Sequence, residues 1–109
     1  MKTFRDERMV HDKVSFAAGD EKIVLRVDKP GRQIIAELNR AKDIMSQVTN
    51  ENMEETMDEA ARAFAGALFG AEQADKLMKL YNNPASVVNV CGQYFAKSLK
   101  KKITKAQIA

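Results

Sequence analysis

The chain has one cysteine, one histidine, two prolines and no tryptophan. One cysteine cannot close an internal disulfide, so packing and hydrogen bonds must hold the fold, and the composition suits a reducing compartment. One histidine leaves little room for metal or triad chemistry, which draws on clustered ligands or on a base beside a nucleophile. No cysteine accompanies His11, and no serine sits in a G-x-S-x-G turn. His11 therefore reads as a solvated side chain, and neither a catalytic constellation nor a cofactor site is visible. A long apolar run is missing too. The richest stretch, Ala60 to Ala71, is too short to cross a bilayer and carries Arg62. The opening MKTFRDERMVHDK lacks the apolar core of a signal peptide, so a cytoplasmic protein is expected.

What is present is ordinary in amount and uneven in placement. The 109 residues suit one domain, with 30% charged and 45% hydrophobic residues and a net charge of +3. Glu51, Glu54, Glu55, Asp58 and Glu59 form an acidic block. Lys97, Lys100, Lys101, Lys102 and Lys105 form a basic tail, the candidate electrostatic surface. Phosphate binding there would be salt-dependent, but no arginine or aromatic interleaves the lysines, so nucleic acid is an unlikely partner. A solvated helix end, favoured by the helix dipole, is the plainer reading of the tail. The acids likewise suit the opening turns of a helix.

Residues 1–13 carry no sustained period and read as an N-terminal arm; residues 14–109 read as one hairpin-plus-helical domain. Val14 and Phe16 alternate with polar neighbours before Gly19-Asp20, and Ile23, Leu25 and Val27 alternate with Lys22, Val24 and Arg26 after it, which predicts a β-hairpin with a type II′ turn. Phe16, Ile23 and Leu25 should lie on a helix, because a bare two-stranded hairpin is marginal. Asp28 and Pro30 suit the start of a helix whose stripe is Ile34, Ile35, Leu38, Ala41, Ile44, Met45 and Val48.

Three further helices follow. The first carries Met57, Ala60, Ala61, Phe64 and Leu68 and stops at Gly70, as a left-handed cap would stop it. The second carries Ala74, Leu77, Met78 and Tyr81 and stops at Asn82. The third begins at Asn83-Pro84, an N-cap followed by proline, and carries Val87, Val88, Cys91, Phe95, Leu99 and Ile103. The fold class is α+β, mainly α: a hairpin followed by about four helices packed as a small bundle.

Phe64, Leu68, Leu77, Val88, Cys91 and Phe95 are expected to share one core. Cys91, with no base beside it, reads as a small buried hydrophobe. Gly66 or Gly70, and Gly92, are candidate close-packing positions. Met45, Met53, Met57 and Met78 fall on or beside apolar faces, and thioethers suit surfaces that repack around a partner. With Tyr81 they are the candidate partner-binding residues. A homo-oligomer is compatible with the same faces.

From Val14 onward the order of elements resembles the small tail assembly chaperones of long-tailed bacteriophages and prophages of Gram-positive hosts. The resemblance rests on the hairpin KVSFAAGDEKIVLRVD and a long charged amphipathic helix. It continues in an acidic helix ending Phe64-Ala65-Gly66-Ala67-Leu68-Phe69-Gly70, the run Ala74 to Tyr81, and the closing helix VVNVCGQYFAKSLKKKI. It implies a non-enzymatic protein, without cofactor, that acts in the bacterial cytoplasm during virion morphogenesis. Its implied partners are the tape measure protein and tail tube subunits. Two other classes remain open on the residues: a structural head-tail or tail subunit, and a small nucleic-acid-binding regulator using the lysine tail.

Overall fold

The structure is a computed structural model and describes residues 8–108, with side chains through Lys105. The chain folds as an N-terminal antiparallel hairpin followed by helices, an α+β arrangement that is mainly α.

Strands β1 (Met9–Ala18) and β2 (Glu21–Pro30) pair with Phe16 opposite Ile23 and Val14 opposite Leu25. Gly19 takes a φ of 61° at the first turn position and Asp20 stays out of the positive-φ region, the pattern of a type II′ turn. The alternation works as its period requires. Val10, Phe16, Leu25 and Val27 are buried, while His11, Lys13, Lys22, Val24 and Arg26 face outward. The strand starts earlier than expected. Met9–Lys13, read as part of the arm, is paired with Arg26–Pro30. Burial of Val10 and a hydrogen bond from the Tyr94 hydroxyl to Asp12 hold in place a polar stretch with little strand propensity of its own. The earlier part of the arm lies outside the described residues.

Helix α1 (Gly31–Met45) follows β2 directly. Its N-cap is Pro30 in extended backbone, with no side-chain cap, so Asp28 does not cap the helix. Asp28 belongs to β2 and lies 2.6 Å from His11 Nδ1. The Gly31 N–H donates to the Arg8 carbonyl at 2.9 Å and carries the hairpin ladder into the helix start. Gly31 is also where chains approach closely: a Cβ there would lie 3.2 Å from Ile103 Cγ2. Ile34, Leu38 and Ala41 are buried, but the helix ends at Met45, which leaves Val48 in the following loop.

Helix α2 (Met53–Phe69) buries Ala60, Ala61, Ala65, Ala67, Leu68 and Phe69. These alanines supply the close approach that the glycines were expected to give. A Cβ on Gly66 or Gly92 would meet nothing within 4 Å. Gly70 ends α2 with φ 85° and ψ 161°, so it is not a left-handed helical cap. That region is open almost only to glycine, and here it lets one residue end α2 and begin α3 (Ala71–Tyr81). Asn82, at φ 50° and ψ 33°, ends α3 in the left-handed region. Asn83 caps α4 (Pro84–Tyr94), its side-chain oxygen accepting from Ala85 N at 3.0 Å and Ser86 N at 3.5 Å.

Beyond Tyr94 the rod continues through a π-helical stretch, Phe95–Leu99, into α5 (Lys100–Ile108). The stretch changes which residues face inward. Val87, Cys91 and Tyr94 are buried, and the next buried positions are Leu99 and Ile103. The step from Tyr94 to Leu99 is one residue longer than an α-turn allows, and the wider π-turn absorbs it. Phe95, expected in the core, is therefore half-buried.

The core is centred on three rings. Phe69 stacks on Tyr94 with centroids 5.8 Å apart, and Phe16 meets both edge-on at 5.6 and 6.3 Å. Hairpin, α2 and α4 meet there. Of the six residues expected to share the core, Leu68, Leu77 and Cys91 are buried; Phe64, Val88 and Phe95 pack at its margin.

Candidate partner-binding cleft

The loop between α1 and α2 is built by its own side chains. Asn52 accepts from Thr49 N–H at 2.7 Å, and its amide donates to the Gln47 carbonyl at 3.1 Å. Thr49 returns the contact, its hydroxyl accepting from Asn52 N–H at 3.3 Å. This knot brings Val48 back beside the first turns of α2. Across from them lies the N-terminus of α4, fixed by the Asn83 cap and by Pro84. The result is a cleft of about 510 Å³ with Val48, Met53, Met57, Pro84 and Ala85 as its apolar lining and Glu54, Asp58 and Asn83 as its polar rim.

Met53 is 50% exposed at this cleft, one of the few large apolar side chains left so open among the described residues. Met57, one turn on, is half-buried. Two flexible thioethers beside rigid Pro84 make a lining that can adjust to an apolar side chain. Glu51, Glu55 and Glu59 are exposed but do not line the cleft; helical spacing turns Glu55 and Glu59 to the other side of α2. The cleft is apolar within; of the two acids on its rim, Asp58 is paired with Arg62 at 3.0 Å and Glu54 is exposed.

The structure does not gather all the candidate residues there. Met45 is half-buried at the end of α1 and does not line the cleft. Met78 is core, 8% exposed, because the α3 stripe turns it inward; only its edge reaches a smaller neighbouring cleft beside Asn83 and Pro84. Tyr81 is tied to the hairpin, its hydroxyl donating to the Ala17 carbonyl at 3.1 Å. Val48 and Pro84 belong to the cleft and were not expected in it. Val48 as the last member of a helical stripe already broken by polar residues was the available signal.

The lysines are also divided. Lys97, Lys100, Lys101 and Lys105 are exposed, but Lys102 lies 3.6 Å from Asp12 and helps join α5 to β1. Asp12 also accepts from Tyr94, whose hydroxyl is held well above its ordinary pKa by burial and by that carboxylate. Cys91 is buried, and burial pushes its thiol up to about 12, so it is no nucleophile at neutral pH.

A second cleft, polar and about 610 Å³, lies between β2, α1 and the end of α2. Its central cation is already engaged. Lys29 Nζ pairs with Glu37 and donates to the Gly66 and Ala67 carbonyls at 3.2 and 3.0 Å, capping the C-terminal end of α2. Among the described residues, no group of three or more His, Cys, Asp or Glu is placed to hold a metal ion, and no helix is long and apolar enough to cross a membrane.

Fold and cleft define a helical domain under a β-hairpin with an adaptable apolar cleft on its surface. Comparison with family models, curated proteins and solved structures finds no match.

Proposed function

We propose that this chain is a non-enzymatic tail assembly chaperone of a bacteriophage or prophage. In this reading it works in the host cytoplasm, holding helical segments of the tape measure protein and bringing tail tube subunits to them. The observation that carries the proposal is the Met53–Met57–Pro84 cleft, an open apolar groove with Glu54 at its rim. An amphipathic helix docks by laying its apolar stripe into such a groove, and thioethers let one groove accept different stripes. Glu54 at the rim favours client segments whose stripe is flanked by lysine or arginine. The resemblance in element order supplies the identity of the client.

The nucleic-acid reading has less support, because Lys102 is engaged with Asp12 and the other lysines have no arginine or aromatic beside them. The reading as a permanent virion subunit differs in its outcome: such a subunit stays in the finished particle, and a chaperone leaves.

Co-expression with the tape measure protein that this reading implies tests the proposal. The expected result is a soluble client that co-purifies with this chain. A client equally soluble without it, and no co-purification, would remove the chaperone reading. Retention of the chain in purified virions would favour the structural subunit.

A further inference from the structure

The two edges of the hairpin are treated differently. Lys13 pairs with Arg26 and Ser15 with Val24 at positions where the backbone groups point away from the partner strand. On β2 that edge is covered at Arg26. The Gln73 side-chain amide donates to the Arg26 carbonyl at 2.8 Å and accepts from the Arg26 N–H at 2.9 Å, as a neighbouring strand would. On β1, among the described residues, that edge is engaged at Ala17 alone, through Tyr81. The edge-pointing N–H and C=O groups of His11, Lys13 and Ser15 have no hydrogen-bond partner among the described residues.

The outer face of the hairpin has one dominant sign, and on the inner face the acid of β1, Asp12, is engaged by Tyr94 and Lys102. Lys13, Lys22 and Arg26 are exposed on the outer face, and the acid among them, Asp28, is paired with His11. On the inner face of the same strand Val14 is half-buried, leaving apolar surface at the edge.

We propose that the β1 edge from His11 to Ser15 is a strand-addition site for an extended peptide that alternates acidic and apolar residues. Main-chain hydrogen bonds to the open edge supply the attachment. Alternation of side chains then places the acids on the outer face beside Lys13, with Arg26 one strand further on, and the apolar residues on the inner face beside Val14. A second copy of β1 is the poorer occupant, because an antiparallel pairing centred on this edge brings Lys13 up to the Lys13 of the other copy. The site shares no residue with the methionine cleft and does not rest on the chaperone reading.

The test is titration of the full chain with a short acetylated peptide of alternating valine and glutamate, followed by backbone amide NMR and hydrogen exchange. The amides of His11, Lys13 and Ser15 should shift and gain protection, while that of Val24 should not. Ser15→Pro removes an edge-pointing N–H without removing a hairpin ladder bond, so it should weaken binding roughly tenfold or more with the hairpin intact. Val24→Pro, the equivalent change on the other edge, should leave affinity unchanged. Lys13→Glu should also weaken binding, and this surface change does not threaten the fold. A peptide of alternating valine and lysine should not bind. Absence of binding by the glutamate peptide, equal binding of the two peptides, or equal losses in the two proline variants overturns the proposal.

Discussion

Phe69 is 5% exposed, wedged against Phe16 and Tyr94, whereas Phe64 on the same helix is half-buried at the margin of the core. Phe69→Ala should cost about 3–5 kcal/mol and Phe64→Ala clearly less, measured by denaturant unfolding. Equal losses would place both rings in one core. Gly70 makes a different kind of contribution. A Cβ there meets no atom, so Gly70→Ala tests backbone strain alone, and on the order of 1–3 kcal/mol should be lost. Cys91 predicts a pH dependence. Its folded-state pKa is raised by burial from 9.0 to about 12, so the fold favours the neutral thiol. That stabilisation is complete below the unfolded value and is lost as pH rises through the interval between the two. Tyr94 shifts in the same direction, raised by burial and by its hydrogen bond to Asp12. Stability should therefore fall above about pH 9, each group contributing at most about 1.4 kcal/mol per pH unit. Cys91→Ala should make that fall shallower. An unchanged slope would mean that the thiol ionises equally well folded and unfolded.

The elements themselves were legible where local chemistry decides them. Gly19-Asp20 closes the hairpin, and Asn83-Pro84 starts α4, because turn geometry and capping act within a few residues. What escaped sequence reading depends on partners far along the chain. The start of β1 rests on Tyr94 and Lys102 reaching Asp12. The loss of Asp28 as a cap rests on the pairing of β1 with β2, which carries the strand on to Pro30. The close approach at Gly31 involves Ile103, near the opposite end of the chain. The π-helical stretch escaped for another reason: regular steps of four through Cys91, Phe95 and Leu99 describe an unbroken α-helix equally well. Within that stretch Ala96 is exposed. Its deletion should convert the π-turn to an α-turn while keeping Tyr94 and Leu99 on one face. The fold should survive with an unchanged or higher Tm. A collapse of helicity in circular dichroism would show that α5 depends on the wider turn.

Taken whole, the molecule places its charge asymmetrically. The acidic residues of α2 lie in its opening turns, with Glu54 and Asp58 at the methionine cleft, and the exposed lysines run along the final rod. Only part of the candidate site could be read from sequence. Met53 and Met57 lie where a partner could touch them; Met78 is packed inside, and Tyr81 is bonded to the hairpin. A stripe of apolar residues does not reveal which of its members a neighbouring helix will cover, and that is decided only when the helices pack. The central claim is that the cleft at Met53 and Met57 receives a client helix whose apolar stripe carries basic flanks. Its most direct test is calorimetric titration of the chain with a helical segment of the tape measure protein, repeated with the Met53→Gln and Met57→Gln double variant at low and high salt. Binding should be weakened by the double variant at both salt concentrations, by about tenfold or more, while circular dichroism shows the fold unchanged. Undiminished affinity in a folded double variant would contradict the claim and move the working surface elsewhere on the molecule.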